Sequence, residues 1–379
     1  MSILSTQPFK TLYALSATTF ELFCLPLWIL RNITVRGRQH PSWTFRQSLS
    51  VRLLFAYVYH IAKIQIRTPL PLTPGKEAER FIVVRAKKED EEKYFRGPLV
   101  GNPDVRLQDV GGTWYPAPLS RDSDVENVLV VLHIHGGAYV TGDGRTEATG
   151  FLAKNLLKHT PATHVLAPQY RLSTLPASKT SNPFPAALQD SLTTYLYLLH
   201  ELKIPARNVV ISGDSAGANN AIALLRYLAE YGEELGIEAP SAALLWSPWL
   251  NTADNTPEFT LTNPNYATDY LSHPFTWWGS TAYAGLGGQA ALENGYASPN
   301  GRPFRTQVPL WVNCGGAEAL FFDDREWAEM MEKEGNKVRF DVEEGAPHDV
   351  LLVGNLCGFE EAAGRGAKRA GEWLGDVRK

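Results

Sequence analysis

Cysteine is scarce in this chain: three in 379 residues, at Cys24, Cys314 and Cys357. An odd, widely spaced set makes neither a disulfide framework nor a zinc pattern, so each is expected to be an inert, buried thiol. A basic surplus is also missing. The 36 Lys and Arg stand against 40 Asp and Glu, a formal net charge of −4. That balance excludes nucleic acid as the partner class. Internal repeats and low-complexity tracts are absent, which excludes solenoids and linker-like chains. Charged residues are only 20% while hydrophobic ones reach 44%, so the chain builds a large core and is not disordered.

Long hydrophobic runs are confined to one place, "TLYALSATTFELFCLPLWIL" at residues 11–30. The run is about the 20 residues that a bilayer core demands of a helix. Glu21 near its centre and Pro26, which should kink it, argue against a simple span. No small-residue cleavage site follows, so a secretory signal fits poorly. Three placements are open: a spanning anchor, an interfacial helix, or a kinked helix packed on the domain; the two membrane placements are favoured. Lys10 precedes the run and Arg31, Arg36 and Arg38 follow it, which would leave the body on the cytoplasmic side if it spans. Asn32-Ile33-Thr34 is a formal glycosylation acceptor, too close to the run to carry weight.

Leu54, Phe55, Val58, Ile61 and Ala62 share helical spacing, as a cap, an interfacial or a core-facing helix would. The Pro-rich "TPLPLTPGKE" at 68–77 reads as a linker. Beyond it, strands and helices alternate. The strands are continuous apolar runs such as "NVLVVLHIHGG", "THVLAPQYRL", "RNVVISGDS", "SAALLWSPWL" and "VPLWVNCGG". This is the pattern of a mostly parallel sheet buried on both faces, an α/β fold. Two domains are expected: 1–75 as hydrophobic anchor or cap, and 76–379 as the body. An aromatic- and glycine-rich insertion at about 251–300 lies on the rim, where ligands bind.

"GDSAG" at 213–217 is G-x-S-x-G between a strand and a helix. Small residues two positions either side let Ser215 occupy a strained turn at the helix N-terminus, which favours developing negative charge. The bland alternative is a Gly-Ser turn capping a helix; the context favours a nucleophile. A nucleophilic serine needs a base, an orienting acid and oxyanion donors. Gly136 and Gly137, just past a strand end in "HIHGGAYVTG", can supply N–H groups together with Ala216. His133 and His135 share a strand face, but no ligand set accompanies them and a metal is not expected. The base is expected at His348, in the loop after the last strand, with an ordinary pKa of about 6.5. The other histidines read as surface or packing residues. For the acid, "NCGGAEALFFDD" offers Glu318, with Asp323 in reserve; Asp324 is expected to cap the next helix.

These pieces resemble a known family. "HGGAY", "QYRL" with "FPAALQD", "GDSAG", "SPWL", "YASPN", "GGAEAL" and "PHDV" run in the order seen in α/β-hydrolases of the hormone-sensitive-lipase and arylacetamide deacetylase-like carboxylesterase group, over residues 128–350. The resemblance implies the α/β-hydrolase fold, a catalytic set of Ser215, His348 and Glu318, and oxyanion donors at Gly136, Gly137 and Ala216. Aspartate is commoner at the acid position. Ala138 stands for the third glycine of H-G-G-G, and Ala218 for the glycine after the elbow. The N-terminal part of the family forms a cap, and some members are anchored through it.

The expected function is a serine carboxylester hydrolase acting through an acyl-enzyme on a lipophilic small molecule, such as a sterol or secondary-metabolite acetate, without metal or cofactor. The rival readings are a biosynthetic enzyme of the same fold working on an amide or thioester or in a condensation or lyase step, and a non-catalytic ligand-binding protein. The expected setting is membrane-associated, with the endoplasmic reticulum as candidate, or else cytoplasmic. Nothing in the sequence specifies an oligomer.

Overall fold

Strand-forming runs of Val, Ile and Leu build one eight-stranded sheet in the computed structural model, which describes residues 3–254 and 256–379. Met1 and Ser2 of the N-terminal region and Asn255 of the rim insertion lie outside the described residues. The strands are β1 (Phe81–Val84), β2 (Val110–Tyr115), β3 (Val130–Ile134), β4 (His164–Gln169), β5 (Val209–Asp214), β6 (Ala242–Trp246), β7 (Leu310–Gly315) and β8 (Val338–Glu343). Their order is β1-β2-β4-β3-β5-β6-β7-β8. β2 pairs antiparallel with β1 and β4, and every pairing from β4 through β8 is parallel. This is the expected α/β hydrolase architecture.

Eleven helices are described: α1 (Phe9–Ile33), α2 (Phe45–Lys63), α3 (Lys88–Tyr94), α4 (Thr146–His159), α5 (Ala186–Leu196), α6 (Ala216–Leu235), α7 (Pro257–Leu261), α8 (His273–Ala284), α9 (Phe321–Lys333), α10 (Val350–Cys357) and α11 (Glu360–Val377). Side chains alternate across a strand, so each central strand feeds two cores. Val130, Leu132 and Ile134 pack with α5, α6 and α9 through Leu192, Ile222 and Trp327. Val131 and Val210 pack with α4 and α11 through Leu156 and Leu374. Each such aliphatic side chain contributes about 1.5–3 kcal/mol by leaving water.

From β3 the chain crosses to β4 on one side, and its next parallel strand, β5, lies on the other. The order therefore reverses at β3, and the crevice at the carboxyl ends of β3 and β5 is the natural ligand site of such a sheet. The turns after both strands converge there.

The N-terminal region is an antiparallel hairpin of α1 and α2. Thr44 and Gln47 start α2 with reciprocal caps, Gln47 N–H to Thr44 Oγ1 at 3.2 Å and Thr44 N–H to Gln47 Oε1 at 2.8 Å. α1 runs through Pro26 as one helix, packed along α2 on both sides of the proline. Glu21, the acid inside the apolar run, meets Arg52 and His60 of α2, each at 3.3 Å. Asn32 is buried between the helices, donating to the Trp28 carbonyl (2.7 Å) and accepting from Ser48 Oγ (2.6 Å), so it is no open acceptor for a glycan. The opposite side of α1 is bare: Leu12, Leu15, Phe20, Phe23, Leu27 and Leu30 are all exposed. Cys314 and Cys357 are buried as expected, whereas Cys24 on α1 is only partly covered.

Candidate active site

β5 ends at Asp214 and α6 begins at Ala216, leaving Ser215 alone to make the turn, at φ 51° and ψ −118°. A non-glycine residue held there stores strain of about 1–3 kcal/mol unless its surroundings enforce it. Here they do. Ser215 N–H donates to the Trp246 carbonyl (2.9 Å), and the Ser215 carbonyl accepts from Asn219 N–H and Trp249 N–H, both at 3.0 Å. The flanking glycines are dictated by space. A Cβ on Gly217 would sit 2.0 Å from the Ile134 carbonyl oxygen, and one on Gly213 2.4 Å from that of Gly217.

The loop after β3 runs against this elbow. A Cβ on Gly136 would lie 2.3 Å from Asp214 Oδ2 and 3.1 Å from Ser215 Cβ. Gly137 has φ +105°, and its carbonyl turns away to accept from Val140 N–H and Thr141 N–H, both at 3.0 Å. Ala138 and Tyr139 follow at φ 53° and 63°, so the expected departure from a third glycine is accommodated with strain. Among the described residues, no acceptor takes the N–H of Gly136, Gly137 or Ala216. Gly137, Ser215 and His348 line one cavity of about 410 Å³, whose far wall is Leu54, Tyr57 and Ile61 of α2.

His348 lies beyond β8 and Glu318 beyond β7; both are buried. His348 Nδ1 faces Glu318 Oε1 at 3.7 Å. The other Glu318 oxygen is fixed by Ser247 Oγ–H at 2.6 Å and Gly315 N–H at 2.9 Å. Burial alone would depress the His348 pKa, but Glu318, then Asp269 and Asp214, outweigh it and raise it above the ordinary histidine value. Such a histidine takes a proton readily and holds it as a charged pair. Asp323 does not compete. It lies half-buried on α9 near Asp254 and Glu326, its pKa raised to about 6 mainly by burial.

Asp324 corrects an expectation. It does not cap α9, whose start has no side-chain cap. Its carboxyl is buried beside Glu318, and burial with that neighbouring charge pushes its pKa well above the carboxylate range. A second carboxyl pair lies beneath the serine. Asp214 accepts from His133 Nε2 at 3.0 Å, and Asp349 is pushed well up by burial and by Asp214. His133 also meets Ser212 Oγ at 3.0 Å, while His135 stacks on Tyr170 with ring centroids 4.3 Å apart. Both serve packing and hydrogen bonding, and among the described residues no group of three His, Cys, Asp or Glu could hold a metal. Sequence reasoning missed Ser247 and Asp269. Ser247 sits in the "SPWL" stretch without looking chemical, and Asp269 lies in the insertion with no motif around it.

A serine on a strand–helix elbow, lining one cavity with a histidine that is paired to a buried carboxylate, at the carboxyl edge of a doubly wound sheet, defines a class: the hydrolases built on this fold. The chain belongs to the alpha/beta hydrolase fold family, whose pattern matches residues 131–352. It is similar to an acetyl-hydrolase of Streptomyces hygroscopicus, 35% identical over 123 residues, which are 32% of this chain and 36% of that protein. An esterase of Acinetobacter venetianus is 25% identical over 298 residues, 77% of this chain and 87% of that protein. In fold, the chain resembles the crystal structure of an esterase from the bacterial hormone-sensitive lipase family, with a TM-score of 0.57, 20% identity, and coverage of 86% of this chain and 99% of that one. The chain is a carboxylic ester hydrolase of the alpha/beta hydrolase fold.

Proposed function

We propose that Ser215 is the nucleophile, His348 the general base and Glu318 its orienting acid. His348 takes the hydroxyl proton as Ser215 attacks the ester carbonyl. The N–H groups of Gly136, Gly137 and Ala216 hold the oxyanion. His348 then protonates the leaving alcohol, and water, deprotonated by the same histidine, releases the carboxylic acid from the acyl-serine. The observation that carries this reading is that the strained Ser215 and the Glu318-paired His348 line one cavity. A fluorophosphonate probe should label the wild type and not Ser215→Ala, with p-nitrophenyl acetate turnover lost in parallel. Full activity in pure Ser215→Ala would end the assignment.

The substrate proposed is a lipophilic ester with a small acyl group, of the kind an acetylated sterol or secondary metabolite presents. Support comes from the apolar walls of the cavity, Leu54, Ile61, Leu271, Phe275 and Val353, and from the acetyl-hydrolase named among the relatives. Residues 1–75 act as a combined cap and anchor for the catalytic body at 76–379. The bare face of α1 would lie in a membrane interface. Spanning would strip Glu21 from Arg52 and His60 and set it in hydrocarbon, a cost of about 2.5 kcal/mol or more. The protein would then be membrane-associated through this helix. Carbonate extraction of the full chain tests this: an interfacial helix is stripped, and a spanning one stays with the membrane.

A further inference from the structure

The acid loop (316–319) and the base loop (346–349) come from different strands and share one direct backbone bond, Ala317 N–H to the Ala346 carbonyl at 2.9 Å. A third segment, 263–269 of the rim insertion, touches almost every peptide of the first loop and reaches the second. Asn263 Nδ2 donates to the Ala319 carbonyl at 2.7 Å. Asn265 Nδ2 donates to the carbonyls of Glu318 (2.9 Å) and Gly316 (3.4 Å). Thr268 Oγ1 donates to the Ala317 carbonyl at 2.7 Å. Asp269 completes the set. Its Oδ2 accepts from Ala319 N–H at 2.7 Å, and its Oδ1 accepts from Tyr270 N–H at 2.7 Å and His348 N–H at 3.3 Å.

We infer that residues 263–269 form a clasp that sets the Glu318–His348 geometry, and that Asp269 is its positioning residue, a single buried carboxylate bonded to the backbone of both loops. The inference rests on the proposed roles of Glu318 and His348. Loop backbone needs partners in any fold, but that need does not select this side chain. All three partners of Asp269 are N–H donors, so an amide would turn its own N–H₂ on one of them. Solvation does not select it either, since Asp269 is 2% exposed and close to another carboxylate, Glu318. A charge kept there at that cost acts on what it faces. His348 faces Glu318 of the acid loop, Asp214 of the elbow, the adjoining Asp349, the Tyr270 ring and Asp269, while Arg67 lines the same cavity. Asp269 is thus a further negative charge favouring the imidazolium that forms during reaction.

The test uses the full chain carrying Asp269→Asn, Thr268→Val or Ser215→Ala, with kcat and KM for p-nitrophenyl acetate measured across pH beside thermal midpoints. A displacement of about 1 Å in such a site costs roughly 10²-fold. Asp269→Asn should therefore lower kcat by about 10–100-fold with KM within about twofold. Its acidic limb should move to lower pH, because losing a negative neighbour makes His348 easier to deprotonate. Thr268→Val should lower kcat by less and leave the limb in place. A wild-type kcat and limb in Asp269→Asn overturns the inference, as does a kcat loss with an unmoved limb and a fallen midpoint. If Asp269→Asn does not fold, Thr268→Val decides: reduced kcat at constant KM upholds the clasp, and unchanged kcat overturns it. Failure of the underlying assignment looks different, because Ser215→Ala would then stay active.

Discussion

Glu318 Oε1 lies 3.7 Å from His348 Nδ1 while Glu318 Oε2 is held by Ser247 and Gly315. The carboxylate is therefore anchored through one oxygen and presents the other to the imidazole. In the proposed triad an acid so placed would set the tautomer of the base and stabilise its charged form.

Replacing that charge separates the two effects. Glu318→Gln keeps the shape and should lower kcat by about 10³–10⁴-fold, as removing the orienting acid does in serine hydrolases. It should also move the acidic limb of kcat/KM. In the wild type His348 is raised above the ordinary 6.5, so activity should fall half-way at a pH above that value; without Glu318 the limb should move down. A stopped-flow pH profile of both proteins checks the direction.

Ser247 is a gentler probe of the same anchor. Its hydroxyl donates to Glu318 and accepts from Asp349 N–H at 3.0 Å. Ser247→Ala removes one charge-assisted bond, about 1.5–3 kcal/mol in a buried setting. A kcat lowered by about 10–100-fold with little change in KM is expected from steady-state kinetics. An unchanged kcat would mean that Gly315 alone suffices.

The buried carboxyls whose pKa is raised make stability depend on pH. Asp324 has a folded pKa raised by burial and by Glu318. A raised pKa means that the folded state binds the proton more tightly than the unfolded chain does. Its stabilising contribution is complete below the unfolded value of about 3.9 and is lost as pH rises toward the folded one. Asp324→Asn keeps the shape and has no carboxyl proton to lose. Its urea midpoint should gain on the wild type steadily from pH 5 to pH 8, and a constant difference between the two would refute the assignment of that proton.

Most of the proposed site lies in short stretches that local geometry constrains, so it could be proposed before the fold. G-x-S-x-G follows from space: a Cβ on Gly217 meets the Ile134 oxygen at 2.0 Å. Gly217→Ala should accordingly destabilise by about 3 kcal/mol or more, or fail to fold, as a denaturant titration would show. The proposed acid, Glu318, is the first carboxylate after the β7 strand end. What escaped was tertiary. Asp269 bonds to backbone groups some 50 to 80 positions away, and backbone partners leave no pattern in a sequence. Asp324 looked like a cap because a local rule applied to its spacing, and only burial beside Glu318 overrides it.

The last expectation concerns α2, whose role as a wall no motif announced. Its Leu54, Tyr57 and Ile61 stand on one helical face and close the cavity of about 410 Å³ over Ser215. Tyr57 is the odd member, 60% exposed and so at the mouth, whereas Ile61 is partly buried. Enlarging the inner residue should shorten the acyl chains that fit without touching the reacting groups. Ile61→Trp should keep p-nitrophenyl acetate turnover within about threefold and lower kcat/KM for octanoate by about 10–200-fold, the range in which a hydrophobic pocket discriminates by size. Tyr57→Ala widens only the entrance and should leave that ratio near the wild-type value. If both variants treat the two esters alike, the acyl chain does not lie under α2, and its path must run along the Leu271 and Phe275 side of the same cavity.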